Sequence, residues 1–350
     1  MSGKCRLDGP VSYIALRLKY GTMRQTLPAF LKRFTITLLL GIFSYGNIAM
    51  AQSAAPLTGS QLVLPARAFT IPFHWQGDSI NGKWEPHTAL LLPVKLKSCP
   101  RIFYMQFDLG HPYSVLYTEK LAAIRLRYPK ALPANEGGNK LENFSFHAGK
   151  VRVLAKEIPV QPFDSAAAIN WANKEAVVII GTIGADLIDG KTVVIDYPAQ
   201  QLTIGTSIPG KLLPQLSLTD MVYERRNLLL PATIKNKHVL LYFDTGSSMY
   251  ELLVDKETCE DLAAPGSVFM QSKSRSWDKY LTANTIASNA GITINGISIP
   301  LHYVTYIEGV GTEKAAQMRK MGIGGMTGNK LFLDYKLVLD TRHKKFGLIR

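Results

Sequence analysis

Leu90-Leu91-Leu92-Pro93-Val94-Lys95-Leu96-Lys97, a turn at Ser98–Pro100, and Phe103-Tyr104-Met105-Gln106-Phe107-Asp108-Leu109-Gly110 form one stretch of this chain. It is written again as Leu228-Leu229-Leu230-Pro231-Ala232-Thr233-Ile234-Lys235, a turn at Asn236-Lys237, and Leu240-Leu241-Tyr242-Phe243-Asp244-Thr245-Gly246. Each copy is two alternating apolar runs joined by a short polar turn, the pattern of a β-hairpin. Each ends at Phe-Asp-x-Gly. Pro93 to Asp108 spans 15 residues and Pro231 to Asp244 spans 13, so the copies differ by a two-residue turn insertion.

A second element recurs in the same order. Ile179-Ile180-Gly181-Thr182-Ile183-Gly184 leads to Lys191-Thr192-Val193-Val194-Ile195-Asp196, and Ile323-Gly324-Gly325-Met326-Thr327-Gly328 leads to Tyr335-Lys336-Leu337-Val338-Leu339-Asp340. Gly184 to Asp196 and Gly328 to Asp340 are both 12 residues. The two elements repeat at periods of 136 and 144 residues, which points to duplication of a lobe of roughly 140 residues. Most of the rest reads as short strands, including Phe144 to Val153 and Ile292 to Tyr306. Helical signals are few: 118–128, 256–263 and 312–321. The expectation is an all-β chain of two similar lobes with few short helices. The first lobe is placed at 88–205, a Pro/Ser-rich linker at 206–217 and the second lobe at 218–350. Residues 52–87 form an N-terminal extension with no clear structural signal.

The 350 residues are 47% apolar and 19% charged, ordinary globular composition that excludes disorder, collagen and coiled coil. Arg24, Lys32 and Arg33 precede the short apolar run 34–43 and the small-x-small site Ala49-Met50-Ala51, the layout of a secretory signal. Residues 1–51 are therefore expected to be removed, with Met23 an alternative start. Without them the charged residues number 33 basic against 25 acidic, net +8 instead of +14. No later run reaches the length of a membrane span. The expected location is periplasmic or secreted.

Several chemistries find no support. The basic clusters Arg225-Arg226 and Arg342-His343-Lys344-Lys345 lack interleaved aromatics and read as solvated faces, not a nucleic-acid surface. Cys99 and Cys259 could form one disulfide at most once Cys5 is removed. There is no CxxC or HExxH, and no cofactor or metal is implied. The Gly-rich run 322–330 has no Gly directly before its Lys and fails as a phosphate loop. Asp196 and Asp340 end strands in both copies and read as turn formers.

Phe243-Asp244-Thr245-Gly246-Ser247-Ser248 resembles the active-site signature of pepsin-like and retropepsin-like aspartic peptidases. The elements at 179–181 and 323–325 are similar to that family's second signature in each lobe. The resemblance covers about 88–350 and implies a two-lobed acid-protease fold with a cleft between the lobes. It also implies peptide hydrolysis by the paired carboxylates Asp108 and Asp244. Two carboxylates that close cannot both ionise, so one serves as base toward water while the other keeps a proton. Gly110 and Gly246 would permit the tight loops that bring them face to face. By the same resemblance Thr245 ties the two loops together and Ser247 donates to a carboxylate.

The first lobe departs from this pattern, with Leu109 in the place of the tying Thr and His111 in the place of the donor Ser. Two roles stay open for His111, a donor to Asp108 and a cap of the turn before Pro112. The family's flap maps onto 143–153, with Phe144 and Phe146 as candidate aromatics. Trp277 and Tyr280 of the second lobe are further candidates for the cleft wall. The expected partner is an extended peptide or protein substrate. The competing reading is a catalytically inactive peptide- or polymer-binding protein on the same fold.

Overall fold

The computed structural model describes residues 59–133, 138–163, 169–276, 279–308 and 322–350. The expected signal segment at 1–51, Trp277 and the expected helix at 312–321 lie outside these residues. The architecture is all-β and two-lobed, as the repeat requires.

The repeated hairpins form as read. Lys83–Leu96 pairs antiparallel with Ile102–Phe107, and Asn227–Ile234 pairs with Lys237–Phe243. The second turn falls one residue earlier than expected, on Lys235 and Asn236, both left-handed (φ 44° and 63°). Asn tolerates that region well, which fixes the turn register.

The outgoing strand of each hairpin then takes a parallel partner from the second repeated element. Ile102–Phe107 runs beside Ile179–Ile183, and Lys237–Phe243 beside Ile323–Thr327. Both pairs carry a register shift at the same place, between Tyr104 and Met105 and between Leu240 and Leu241. The duplication therefore preserves even the irregularity.

The strands after these elements join the lobes. Thr192–Asp196 pairs antiparallel with Lys336–Asp340, with Val194 opposite Val338. Those two valines are equivalent positions of the repeat, so the lobes meet about a local two-fold axis. Gln201–Gly205 and Lys345–Ile349 flank this pair, and Phe69–Pro72 and Thr219–Asp220 form the edges of the six-stranded sheet. Residues 62–80, left without an element by the sequence, thus supply strands. Leu62–Val63 pairs with Val151–Gln161, and His74–Ile80 forms a hairpin with the start of Lys83–Leu96.

Among the described residues seven phenylalanines are fully buried, and Phe103, Phe107, Phe243 and Phe332 of the repeated elements are among them. Phe243 meets Phe332 edge to face at 5.4 Å, an arrangement that adds to area burial. Helices cover Thr118–Arg127 and Lys256–Asp261, the latter capped by Asp255, whose Oδ1 accepts from the Thr258 N–H at 3.0 Å. Among the described residues no helix is long and apolar enough to cross a membrane. Cys99 and Cys259 are both buried and both free.

Candidate active site

Asp108 and Asp244 stand at the ends of the two hairpin strands, where each chain leaves its parallel partner. The Asp108 N–H donates to Ile183 O and the Asp244 N–H to Thr327 O, both at 3.0 Å. Each chain then folds back, with the His111 N–H donating to Asp108 O at 3.2 Å and the Ser247 N–H to Asp244 O at 3.1 Å. The Gly110 N–H lies 2.9 Å from Asp108 Oδ1 and 3.1 Å from Asp244 Oδ1, so one donor touches both carboxyl groups. The two carboxyls hydrogen-bond each other as well.

The two glycines make this approach sterically feasible. A Cβ on Gly110 would sit 2.5 Å from Asp244 Oδ1, and one on Gly246 would sit 2.6 Å from Asp108 Cγ. Neither glycine has a positive φ. The sequence reading assigned them to loop conformation, but their role is space: each leaves room for the carboxyl of the opposite lobe.

Asp244 is fully buried and Asp108 is 4% exposed. Burial pushes the Asp244 carboxyl above its ordinary value, against donation from the Gly246 N–H, the Ser247 hydroxyl and the Asp108 carboxyl. The Gly246 N–H lies 2.8 Å from Asp244 Oδ1 and Ser247 Oγ 3.0 Å from Oδ2. Ser247 thus occupies the donor position expected for it.

Thr245 crosses between the lobes. Its Oγ1 donates to Phe107 O at 2.8 Å and accepts from the Leu109 N–H at 2.8 Å. Leu109 cannot return this tie, because its side chain has no hydroxyl; it packs in the apolar core instead. His111 Nδ1 faces Tyr113 O and lies 3.3 Å from the Tyr113 N–H, contacts within the turn around Pro112.

Other predicted positions sort by burial. Phe144 and Phe146 do not form a flap surface. Both pack into the core, because the alternation of the strand Lys140–Ala148 turns this pair inward. The backbone of Lys279–Ala287 is described, but the Tyr280 side chain lies outside the described set. Asp196 and Asp340 are turn formers: their Oδ1 atoms accept from the Ala199 N–H at 3.1 Å and the His343 N–H at 3.0 Å. Lys344 and Lys345 pair with Glu224 and Asp220 on the surface. Arg226 is a correction to the solvated-face reading, since it is buried.

Contacts behind the two loops were not legible beforehand. Asn329 Nδ2 donates to Thr245 O at 3.0 Å, and its Oδ1 accepts from Tyr197 OH of the first lobe at 2.7 Å. Lys330 pairs with Glu85 across the lobes. Burial opposes ionisation of Glu85, yet His87 and Lys330 bring its carboxyl down to about 2. In the first lobe Asp186 accepts from Ser114 Oγ at 2.8 Å, and burial pushes its carboxyl up to about 6. The available signal was divergence between otherwise matching copies, which sets Ala185-Asp186 against Asn329-Lys330. Among the described residues no three His, Cys, Asp or Glu side chains converge on a metal-sized site.

No protein-family model matches the chain, and no curated protein sequence does. Among solved structures it is similar to the aspartic proteinase from Irpex lacteus, at a TM-score of 0.47 and 12% identity, over 81% of this chain and 97% of that one. It is also similar to Basic 7S globulin from soybean, at a TM-score of 0.46 and 10% identity, over 81% of this chain and 95% of that one. The two-lobed architecture stands on the topology of the chain itself.

Proposed function

We propose that this protein is an exported aspartic peptidase that hydrolyses extended peptide or protein chains with Asp108 and Asp244 acting on one water. The observation that carries the reading is the Gly110 N–H, which reaches a carboxyl oxygen of both residues, at 2.9 and 3.1 Å. One donor can do this only if the two carboxyls share a single small space.

In that space the pair holds one proton between pH values set jointly by both groups. The ionised carboxyl removes a proton from water as the oxygen attacks the scissile carbonyl carbon. The protonated carboxyl gives its proton to the carbonyl oxygen. The resulting neutral diol collapses as the C–N bond breaks: the carboxyl that took the water proton gives it to the leaving nitrogen, and the other, ionised carboxylate takes an O–H proton from the diol as the carbonyl re-forms, which restores the single shared proton. No covalent enzyme intermediate forms. An extended substrate would add main-chain hydrogen bonds along the cleft.

Leu109 supports the second reading, a peptide-binding protein without hydrolysis, because half of the cross-lobe tie is absent. The test sets residues 52–350 beside their Asp244→Ala variant in a complex peptide mixture from about pH 3 to about pH 8, with new termini identified by mass spectrometry. Cleavage by the wild type that disappears in the variant is the expected result. Folded wild type that creates no new termini across that range leaves binding as the function.

A further inference from the structure

A buried cation of the second lobe reaches into the first lobe beside the Asp108 loop. Arg226 lies in the two-residue turn between Val222–Glu224 and Asn227–Ile234, and its side chain is 3% exposed. Nε and Nη2 donate to Asp189 Oδ2 at 2.8 and 2.6 Å, and Nη1 donates to Pro112 O at 3.1 Å. The guanidinium also lies 4.6 Å from the centre of the Tyr113 ring. Asp189 is held from its other side by Tyr223 of the same second-lobe hairpin, whose hydroxyl is 2.7 Å from Oδ1. Pro112 is four residues after Asp108 and directly follows His111, whose carbonyl accepts from the Ala185 N–H at 2.8 Å.

The turn itself points to the side chain. Arg225 and Arg226 both hold left-handed backbone, at φ 49° and 63°. A two-residue turn of that shape favours Asn-Gly, and side chains other than Asn, Asp and Gly carry a conformational cost there. Turn formation alone therefore does not account for Arg at this position. Its planar fork suits a carboxylate and a carbonyl at once, whereas a lysine ammonium is a single point charge.

We propose that Arg226 is a positioning residue for the carboxyl pair: by gripping Asp189 and the Pro112 carbonyl, it holds the Asp108 loop against the second lobe in place of the tie that Leu109 cannot make. The second-lobe loop keeps its own hydroxyl tie through Thr245. That same hydroxyl holds the first-lobe loop at Phe107 O and the Leu109 N–H, and the charged fork adds a second hold from outside at Pro112 O. The placement of the loop follows from the geometry alone, and only its effect on turnover rests on the peptidase reading.

The test compares wild type, Arg226→Met and Arg226→Lys, each with and without Leu109→Thr, which restores the hydroxyl found at Thr245. Amide exchange is followed at Leu109, Gly110 and His111, and at Val153 and Ile292 in the two lobe cores. Arg226→Met is expected to speed exchange at the loop by on the order of tenfold while the core amides stay within about twofold. Arg226→Lys should fall between the two, and Leu109→Thr should restore protection in both backgrounds. On a peptide that the wild type cleaves, Arg226→Met should lower kcat with KM nearly unchanged, and Leu109→Thr should recover it. Unchanged loop exchange in Arg226→Met, equal acceleration at loop and core, or no rescue by Leu109→Thr would each overturn the proposal. If Arg226→Met does not fold, Arg226→Lys with and without Leu109→Thr decides it on the same amides. Folded wild type that cleaves nothing would remove the peptidase reading, and the exchange results would still decide the role of Arg226.

Discussion

Gly110 and Gly246 show how much a single missing carbon can matter when two loops pack point to point. Each faces the carboxyl of the other lobe, so a methyl group cannot be accommodated without moving a lobe. Gly246→Ala is expected to cost about 1–3 kcal/mol by overpacking and to abolish any activity that depends on the carboxyl pair. Urea unfolding and a cleavage assay check this, with Gly210→Ala as the control, since a Cβ there meets nothing within 4 Å. Asp186 gives a second residue-level prediction. Its carboxyl is raised from 3.8 to about 6, so the folded chain holds this proton more tightly than the unfolded chain. Its neutral form suits the fold below about pH 3.8, and stability falls as pH rises through about 6. At about 1.4 kcal/mol per pH unit the loss approaches ~3 kcal/mol at neutral pH. Asp186→Asn should remove most of that slope, read as the difference between unfolding free energies of variant and wild type at pH 4 and pH 7. An unchanged slope would show that Asp186 is ionised in the fold.

At the scale of elements, strand alternation carried most of the information. The hairpins at 90–108 and 228–244 are visible in the chain because each alternates apolar and polar residues on either side of a polar turn. Alternation divides a strand into two faces but does not say which one meets the core. This is why Phe144 and Phe146 could be read as flap aromatics and yet lie inside. Asn143, left-handed at φ 49°, resets the alternation within Lys140–Ala148, and both phenylalanines then follow the buried face. Phe146→Ala is expected to cost roughly 3–5 kcal/mol of stability, as for a large core side chain. Its effect on substrate KM should be small for the fraction that remains folded. Chemical denaturation measures the first, and steady-state kinetics at low temperature the second.

Across the whole molecule, buried carboxyls of opposite titration behaviour act on stability together. Asp244 and Asp186 are raised by burial, so their contributions to stability are present in mild acid and lost as pH rises. Glu85 is lowered from 4.5 to about 2, so its contribution is present above about 4.5 and lost as pH falls toward 2. The two signs together predict a stability maximum on the acid side, near pH 4–5, and not at neutral pH. Melting temperature measured from pH 2 to pH 8 checks this. A maximum at pH 7 or above would mean that the raised carboxyls do not govern the pH profile.

The amino-acid sequence by itself determined the duplication, the all-β class, the two Phe-Asp-x-Gly elements and the departure at Leu109. All of these are carried by local pattern and by the match between two copies of one pattern. Only the tertiary structure decided why Gly110 and Gly246 are glycines. It also showed that Arg226 is buried against Asp189 and that Tyr197 reaches Asn329 across the lobes. Each of these rests on contact between residues from 37 to more than 130 positions apart, set by how the lobes dock about their shared sheet. Spacing along the chain fixes which strands can form, whereas the distance between two lobes is settled only when their buried faces and hydrogen bonds are satisfied together.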